Sequence, residues 1–190
     1  MSQPLSSTEH HRVCSWWCAY TFDNPLRKFL HPVQTVLGEF VKDGMTVMDV
    51  GCGMGYFSIG MAKLVGDTGK VIAVDLQQKM LDVMIKRAQR ADVAERIIPH
   101  RCKAEIIGVN KQSDFILAFW MVHEVPDQKD FFHQLKLNLV SNGKILVGEP
   151  KMHVRAEDIE KTIAIAHSSG LRCCGAPPIR FTRTALFEHE

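Results

Sequence analysis

The hydrophobic pattern of the chain alternates, from Met45 onward, between short apolar runs and segments with helical spacing. Short runs rich in β-branched residues predict buried strands, and these lie at 46–51, 71–76, 96–102, 114–120 and 144–149. Apolar residues at steps of three or four predict helices between the strands, around 56–65, 80–88, 131–139 and 159–166. We therefore expect strands and helices to alternate through most of the chain.

Two further features refine the predicted sheet. Pro99 cannot donate a backbone hydrogen bond, so the third strand is expected at an edge. The segments 171–175 and 183–189, joined through Pro177-Pro178, predict a closing antiparallel hairpin. Strands that alternate with helices form parallel sheets covered on both faces. The expected fold is α/β and doubly wound: a Rossmann-like, mostly parallel seven-stranded sheet with a C-terminal antiparallel hairpin.

Residues 1–44 differ from this pattern. They contain a cluster of aromatic side chains, followed by a predicted helix that starts at Asn24-Pro25, runs through Phe29 to Phe40 and is interrupted near Pro32. The aromatic residues are Trp16, Trp17, Tyr20 and Phe22. We interpret residues 1–44 as an N-terminal helical lid that belongs to the same domain as residues 45–190. Its aromatic residues either cover a ligand or close the hydrophobic top of the domain.

Composition and charge narrow the class of protein. The 190 residues are 46% hydrophobic and 23% charged, as in an ordinary globular domain. A net charge of +2 is too small to attract nucleic acid or an anionic membrane surface. The chain has no apolar run near the ~18 residues of a membrane span and no secretory signal at its N-terminus. We expect a cytoplasmic protein that acts on a small molecule.

The six cysteines are expected to stay reduced in that compartment. Small apolar packing is the favoured role for each of them, and no metal site is expected. An open alternative is a cluster of thiols that binds a metal or metalloid. Its members would be Cys14, Cys18, Cys173 and Cys174.

The strongest motif is the glycine-rich segment VMDVGCGMG at 47–55, between a predicted strand and a predicted helix. No Gly-Lys-Ser/Thr follows it, so it is not a P-loop. A dinucleotide fingerprint needs a glycine where Tyr56 stands. Asp49, two residues before the first glycine, would repel a pyrophosphate and attract a cationic ligand.

Asp75 ends the second predicted strand, and from there an acidic side chain accepts hydrogen bonds from ribose hydroxyls. The alternative role for Asp75 is a helix N-cap. Together, Asp49 and Asp75 suit a ligand with a ribose, a positive centre and no phosphate. S-adenosylmethionine has this combination.

The four segments VMDVGCGMGYFS, VIAVDLQQKML, DFILAFWMVHEVPD and LVSNGKILVGEP resemble class I S-adenosylmethionine-dependent methyltransferases. The likeness covers residues 35–190 and is greatest to the small-molecule branch that includes quinone-biosynthesis and arsenite methyltransferases. It implies that Asp49, Gly51, Gly53 and Gly55 surround the methionine part of the cofactor. It also implies that Asp75 holds the ribose and that Leu76 packs on the adenine.

Four further residues are predicted to contact the cofactor. Cys52 lies inside the glycine loop, and Ala118 lies near the end of the fourth strand. The family commonly has an Asp-Ala pair after the third strand, whose carboxylate meets the adenine amino group. This chain has Lys103-Ala104-Glu105 instead, so the contact falls to the backbone of Ala104 and to Glu105.

Methyl transfer from a sulfonium mainly requires alignment, and a protic acceptor also requires a base. The candidate catalytic residues are His123 and Glu124, just past the fourth strand; the equally weighted alternative is that they only order this loop. Glu149, which ends the fifth strand, is expected either to face the same crevice as a second carboxylate or, as the favoured alternative, to order the turn before Pro150. Two other functions stay open: a non-catalytic S-adenosylmethionine-binding regulator, and a metalloid methyltransferase that uses cysteine thiolates. Tyr56 and Asp49 disfavour a nicotinamide-dependent oxidoreductase.

Overall fold

A computed structural model describes residues 29–190 of the chain. The predictions for the lid and its thiols concern residues outside the described range. These residues are Cys14, Trp16, Trp17, Cys18, Tyr20 and Phe22. In chain order the elements are α1 (Val33–Leu37), β1 (Thr46–Val50), α2 (Tyr56–Leu64), β2 (Lys70–Asp75), α3 (Gln78–Arg90), β3 (Ile97–Arg101), β4 (Ser113–Phe119), α4 (Gln128–Leu137), β5 (Leu139–Pro150), α5 (Ala156–Ser168), β6 (Leu171–Gly175) and β7 (Thr182–His189). Short 3₁₀ helices cover Ala94–Arg96 and Val122–Glu124.

The strands form a seven-stranded sheet in the order β3-β2-β1-β4-β5-β7-β6. The pairs from β3 to β5 are parallel, whereas β7 runs antiparallel to both β5 and β6. The predicted fold, including its closing hairpin, is therefore confirmed. Within residues 29–190, β3 pairs with β2 alone and lies at the edge, as expected from Pro99.

The sheet has a core on each face, which explains why its central strands are apolar at nearly every position. One core packs helices α1 to α3 against the sheet, with Leu37, Met61 and Met84 among its fully buried residues. The other packs α4 and α5 and includes Phe132 and Ala166. Among residues 29–190, no helix is long and apolar enough to cross a membrane.

The order of the strands fixes where a ligand can bind. The chain leaves β1 toward β2 and β3, and then returns to place β4 on the other side of β1. The loops after β1 and β4 therefore diverge and leave a crevice at the carboxyl ends of these strands. The glycine loop follows β1, and His123 follows β4.

Helix and strand bounds differ from the predictions near Asn138. Helix α4 ends at Leu137, although its pattern predicts a helix through Leu139, and β5 starts at Leu139. Asn138 ends the helix because its side-chain amide donates to the Val109 carbonyl at 2.6 Å, and its own carbonyl accepts from Ser113 at 2.7 Å. The interruption near Pro32 is confirmed, since α1 begins directly after it but ends at Leu37.

Candidate active site

The glycine loop bends over the end of β2. The backbone N–H groups of Gly51 and Cys52 both donate to the Val74 carbonyl at 2.9 Å. Gly51, Gly53 and Gly55 have φ values of 72°, 53° and 82°, in the left-handed region that favours glycine. Gly55 is the N-cap of α2, so the loop passes directly from strand to helix.

The three glycines have different surroundings. A methyl group added at Gly51 would lie 2.7 Å from the Met121 side chain, and one added at Gly55 would overlap Met84. At Gly53 an added methyl group would meet nothing within 4 Å. Gly51 and Gly55 therefore permit close packing within the protein, and Gly53 borders open space that a ligand can enter.

Asp75 lies beside this open space. Its side chain is 8% exposed and accepts hydrogen bonds from the N–H groups of Gly53 at 2.8 Å and Gln77 at 2.9 Å. Burial raises the pKa of Asp75, while these N–H donors act in the opposite direction. The N-cap of α3 is Gln77, so Asp75 is not the cap itself. An ionised carboxylate offers about four acceptor positions, more than these two donors use.

Asp49 lies deeper, in the strand that leads into the loop. It is 3% exposed, and its carboxylate accepts a hydrogen bond of 2.5 Å from the Ser58 hydroxyl. The sheet pairs it with Ala73 on β2 and Leu117 on β4. Its negative charge therefore lies near the end of β1, between β2 and β4, where the order of the strands reverses.

Cys52 lies between these two acids. Burial, followed by the charges of Asp49 and Asp75, raises the pKa of the Cys52 thiol well above its usual value. Burial and Asp75 raise the pKa of Cys102 to about 11. Both thiols are therefore protonated at neutral pH and unsuited to act as nucleophiles.

The other cysteines of the described part provide no metal centre. Burial is the main cause that raises the pKa of Cys174, and the thiols of Cys173 and Cys174 donate to backbone carbonyls of Gly175 and Leu186. Within residues 29–190, no group of three His, Cys, Asp or Glu side chains is arranged to hold a metal ion.

The remaining predicted cofactor residues lie in different surroundings. Leu76 follows Asp75 and is half-buried, while Ala104 and Glu105 are exposed beyond β3. The backbone of Cys102 donates to the Asp75 carbonyl at 3.1 Å, which holds the start of this segment against the end of β2. Ala118 is fully buried in the core that packs α4 and α5 against the sheet.

Backbone strain marks the end of β4. Trp120 has a φ of 64°, unusual for a residue with a side chain. Its backbone N–H donates to the Gly148 carbonyl at 2.7 Å, and its indole N–H donates to the Thr182 hydroxyl at 3.2 Å. These bonds hold a sharp turn that places Met121 over Gly51 and starts the 3₁₀ helix Val122–Glu124.

His123 is bound by Glu149 from the neighbouring strand. The imidazole Nδ1 and Glu149 Oε2 are 2.5 Å apart, and the His123 backbone N–H donates to Glu149 Oε1 at 3.0 Å. This hydrogen bond raises the pKa of His123, with partial burial opposing it and the negative charges of Glu149 and Glu124 adding to it. Glu149 thus binds the loop that carries His123, with both of its carboxylate oxygens.

A cavity of about 460 Å³ opens beside this pair. It lies between the 3₁₀ helix, the start of α4 and the first half of α5. Its lining residues are His123, Val125, Pro126, Gln128, Glu149, His153, Val154, Asp158, Lys161, Thr162 and Ile165. Neither this cavity nor the pairing of His123 with Glu149 was predicted, since only the position of both residues past strand ends was visible in the sequence.

The comparison with protein families decides the assignment. A family model described as a methyltransferase domain matches residues 41–173, more than half of the chain. The chain belongs to this methyltransferase family. The resemblance carried by the four segments is thereby confirmed, and the matched region includes the glycine loop, Asp75 and the His123–Glu149 pair.

Two curated relatives are demethylmenaquinone methyltransferases. The chain is 27% identical over 152 residues to that of Oceanobacillus iheyensis and 31% identical over 120 residues to that of Lactobacillus johnsonii. These alignments cover 77% and 63% of this chain, but 64% and 47% of the relatives. The chain therefore spans only about half to two thirds of the length of these relatives.

Solved structures support the fold independently. A SAM-dependent methyltransferase from Aquifex aeolicus has a TM-score of 0.82 at 22% identity, with 92% of this chain and 98% of that chain covered. Fibrillarin from Aeropyrum pernix was solved with natively bound S-adenosyl-L-methionine. It has a TM-score of 0.62 at 14% identity, with 77% of this chain and 67% of that chain covered. Likeness at these identities establishes the methyltransferase fold.

Proposed function

We propose that the protein binds S-adenosylmethionine and transfers its methyl group to a small-molecule acceptor. The observation that carries this proposal is the open space over Gly53 beside the buried carboxylate of Asp75. Membership of the methyltransferase family supports it, because this loop is part of the matched region.

The residues around the loop fit this cofactor. Asp75 has acceptor capacity for ribose hydroxyls, and Leu76 beside it offers an apolar surface to a base. Asp49 places negative charge near a ligand whose sulfur is positive. A dinucleotide suits the site less well, since Tyr56 occupies the third glycine position and begins α2. Ala104 and Glu105 stay candidates for the adenine amino group.

The bound cofactor supplies an electrophilic methyl group, and the chain must hold the acceptor and take its proton. The position of His123 after the end of β4 supports this role, and Glu124 lies beside it, with 4.0 Å between His123 Nε2 and Glu124 Oε1. General-base catalysis by such a group contributes roughly 10²–10⁴-fold to a rate. We assign this role to His123, with Glu124 as the second candidate.

The acceptor is proposed to be a small molecule of the quinone-related kind named for the relatives. A net charge of +2 argues against nucleic acid as substrate, and we place the protein in the cytoplasm and off the membrane. The metalloid alternative gains no support from Cys52 and Cys102, whose raised pKa values keep them protonated.

Calorimetry with S-adenosylhomocysteine tests the proposal, with NAD as the comparison ligand. We expect the protein to bind S-adenosylhomocysteine and not NAD. Asp75→Ala should weaken it by about 1–3 kcal/mol, roughly 5- to 150-fold, because charge-assisted hydrogen bonds are lost. Asp82→Ala is the control, since Asp82 is exposed on α3 and its carboxylate accepts from Gln78. Absence of binding to the wild-type protein, or a preference for NAD, would overturn the proposal.

A non-catalytic regulator would bind the same cofactor. Turnover of cofactor labelled in its methyl group, in the presence of a metabolite extract, separates the two functions. Transfer of label to a small molecule is expected, and binding without any transfer would favour the regulator.

A further inference from the structure

Glu149 is buried more deeply than its position at a strand end requires. Its side chain is 1% exposed, compared with 3% for Asp49 and 8% for Asp75. Burying a carboxylate is costly unless hydrogen bonds compensate for lost hydration. Both of its oxygens are bound by His123, one by the backbone N–H and one by the ring. The fold therefore holds a buried charge against one imidazole.

We propose that His123 and Glu149 form a proton-accepting pair, with Glu149 as its positioning residue, and that the adjoining cavity takes an apolar acceptor bearing a weakly acidic hydroxyl. This inference rests on the proposed methyl transfer. It assigns proton transfer to His123 and not to Glu124, and it makes Glu149 the residue that positions His123. It also limits the acceptor to apolar molecules with a weakly acidic hydroxyl.

The geometry determines which nitrogen accepts the proton. A carboxylate can only accept hydrogen bonds, so Nδ1 of His123 carries the hydrogen that faces Glu149. The neutral imidazole then has its lone pair on Nε2. The 4.0 Å from Nε2 to Glu124 Oε1 exceeds hydrogen-bond distance, so Glu124 does not compete for this nitrogen at that separation. The backbone bond to Oε1 fixes the loop, and the ring bond fixes the tautomer.

The cavity that His123 lines has the size and lining for a small ring system. Its volume of about 460 Å³ lies within the range of small-molecule sites. Apolar side chains line much of its wall: Val125, Pro126, Val154 and Ile165. Gln128 and Thr162 form a polar floor, with the Thr162 hydroxyl 3.4 Å from Gln128 Oε1. An apolar body fits these walls, with its polar group directed at His123.

A base is useful only to an acceptor that holds a proton at neutral pH. The O–H bond of the acceptor breaks, its electron pair stays on the oxygen as the nucleophile, and the proton binds Nε2 to give an imidazolium. Glu149 stabilises that positive charge across the 2.5 Å bond to Nδ1. Thiolates and arsenite already carry an available electron pair, so they would not need this pair.

Other charged groups around the cavity shape the behaviour of His123. Glu124 lies on the same 3₁₀ helix, and Glu149 faces the ring from β5. The His153 ring, in the segment before α5, lies 6.0 Å from the His123 ring. Asp158 on α5 pairs with both Lys161 and Arg155, each at 3.1 Å, and Arg183 on β7 is the register partner of Glu149. The negative charges of Glu149 and Glu124 favour proton uptake by the His123 ring.

The test is a pH titration of ¹⁵N-histidine NMR signals in the full chain. In the wild-type protein, neutral His123 should show the Nδ1–H tautomer and a pKa above the ordinary 6.5. Glu149→Gln should lower that pKa by on the order of one unit, because it removes the negative charge and keeps the shape. The matched control is Glu157→Gln, on exposed α5 surface beside Arg155, which should leave His123 unchanged.

Two further readouts separate positioning from folding. The acid limb of the pH–rate profile should shift to lower pH in Glu149→Gln, with a lower plateau and unchanged affinity for S-adenosylhomocysteine. Phenol as a probe should shift the His123 Nε2 signal, whereas its methyl ether, anisole, should shift only methyl signals of Val125, Val154 and Ile165. If Glu149→Gln does not fold, the His123 tautomer in the wild-type protein still tests the pair, and the two probes still test the class of acceptor.

An Nε2–H tautomer in the wild-type protein, or an equal response to Glu149→Gln and Glu157→Gln, would overturn the pair. Equal responses of the His123 signal to phenol and anisole, or no response to either, would overturn the proposal that the acceptor bears a weakly acidic hydroxyl. Failure of the proposed function looks different, because wild-type protein would then not bind S-adenosylhomocysteine, whatever the His123 titration shows.

Discussion

At the scale of single residues, the same sequence pattern contains glycines with different physical roles. Gly51 and Gly55 are needed because Met121 and Met84 approach them closely, whereas Gly53 borders open space. All three have positive φ, so conformation alone does not distinguish them. The resemblance to known methyltransferases assigns all three to the cofactor, but only the packing shows which one a ligand can contact directly.

Gly53→Val is expected to abolish binding of S-adenosylhomocysteine while the protein stays folded. The new side chain would enter the open space, and its positive φ would cost roughly 1–2 kcal/mol of stability. Gly108→Val is the matched control, because Gly108 also has a positive φ of 71° and lies outside the loop. Calorimetry and thermal melting measure both effects. Equal binding by Gly53→Val and wild type would mean that the loop does not hold the cofactor.

At the scale of elements, helix α2 begins where a dinucleotide-binding protein would have its third glycine. Tyr56 is the first helical residue, and its hydroxyl donates to the His31 carbonyl at 2.8 Å. The buried His31 ring in turn contacts the rings of Phe119 and Trp120 edge to face, at 5.5 and 5.1 Å. Tyr56 thus ties the start of α2 to the segment before α1 and to the end of β4.

Tyr56→Phe should lower the free energy of unfolding by about 0.5–1.5 kcal/mol, because it removes one partly buried hydrogen bond and keeps the ring. For a chain of this size that corresponds to a fall in melting temperature of roughly 1–6 °C. Affinity for S-adenosylhomocysteine should be unchanged, since the hydroxyl points to His31. A stable variant with impaired binding would instead place Tyr56 in the cofactor site.

Most elements could be predicted because their periodicity is local. The runs at 46–51 and 71–76 and the steps from Met80 to Ala88 each became the expected strand or helix. The end of α4 could not be predicted locally, because Asn138 is held by a hydrogen bond to Val109, which is distant in the sequence. The pair of His123 and Glu149 joins residues 26 positions apart through two adjacent strands, and nothing local in either segment specifies it. Ala118 was predicted from its position near a strand end; the structure shows it fully buried, and its contact with the cofactor stays a prediction.

At the scale of the whole molecule, the path of the chain brings its early segment to the crevice. His31 is fixed by the bond from its Nε2 to the Arg180 carbonyl at 2.8 Å, just before β7, and by its ring contacts at the end of β4. The described fold is therefore entered beside the carboxyl ends of the strands, next to the glycine loop.

We predict that residues 1–24 become protected from amide exchange when S-adenosylhomocysteine binds, because a lid excludes water and completes a site when ligand is present. Deleting them should leave a folded protein that keeps much of its affinity for S-adenosylhomocysteine but loses methyl transfer. Mass-resolved hydrogen exchange and the melting temperature of the truncated chain check this. If Trp16 and Trp17 instead close the hydrophobic core, deletion will lower the melting temperature sharply, and the intact chain will show no ligand-dependent protection; that pair of results would exclude the lid.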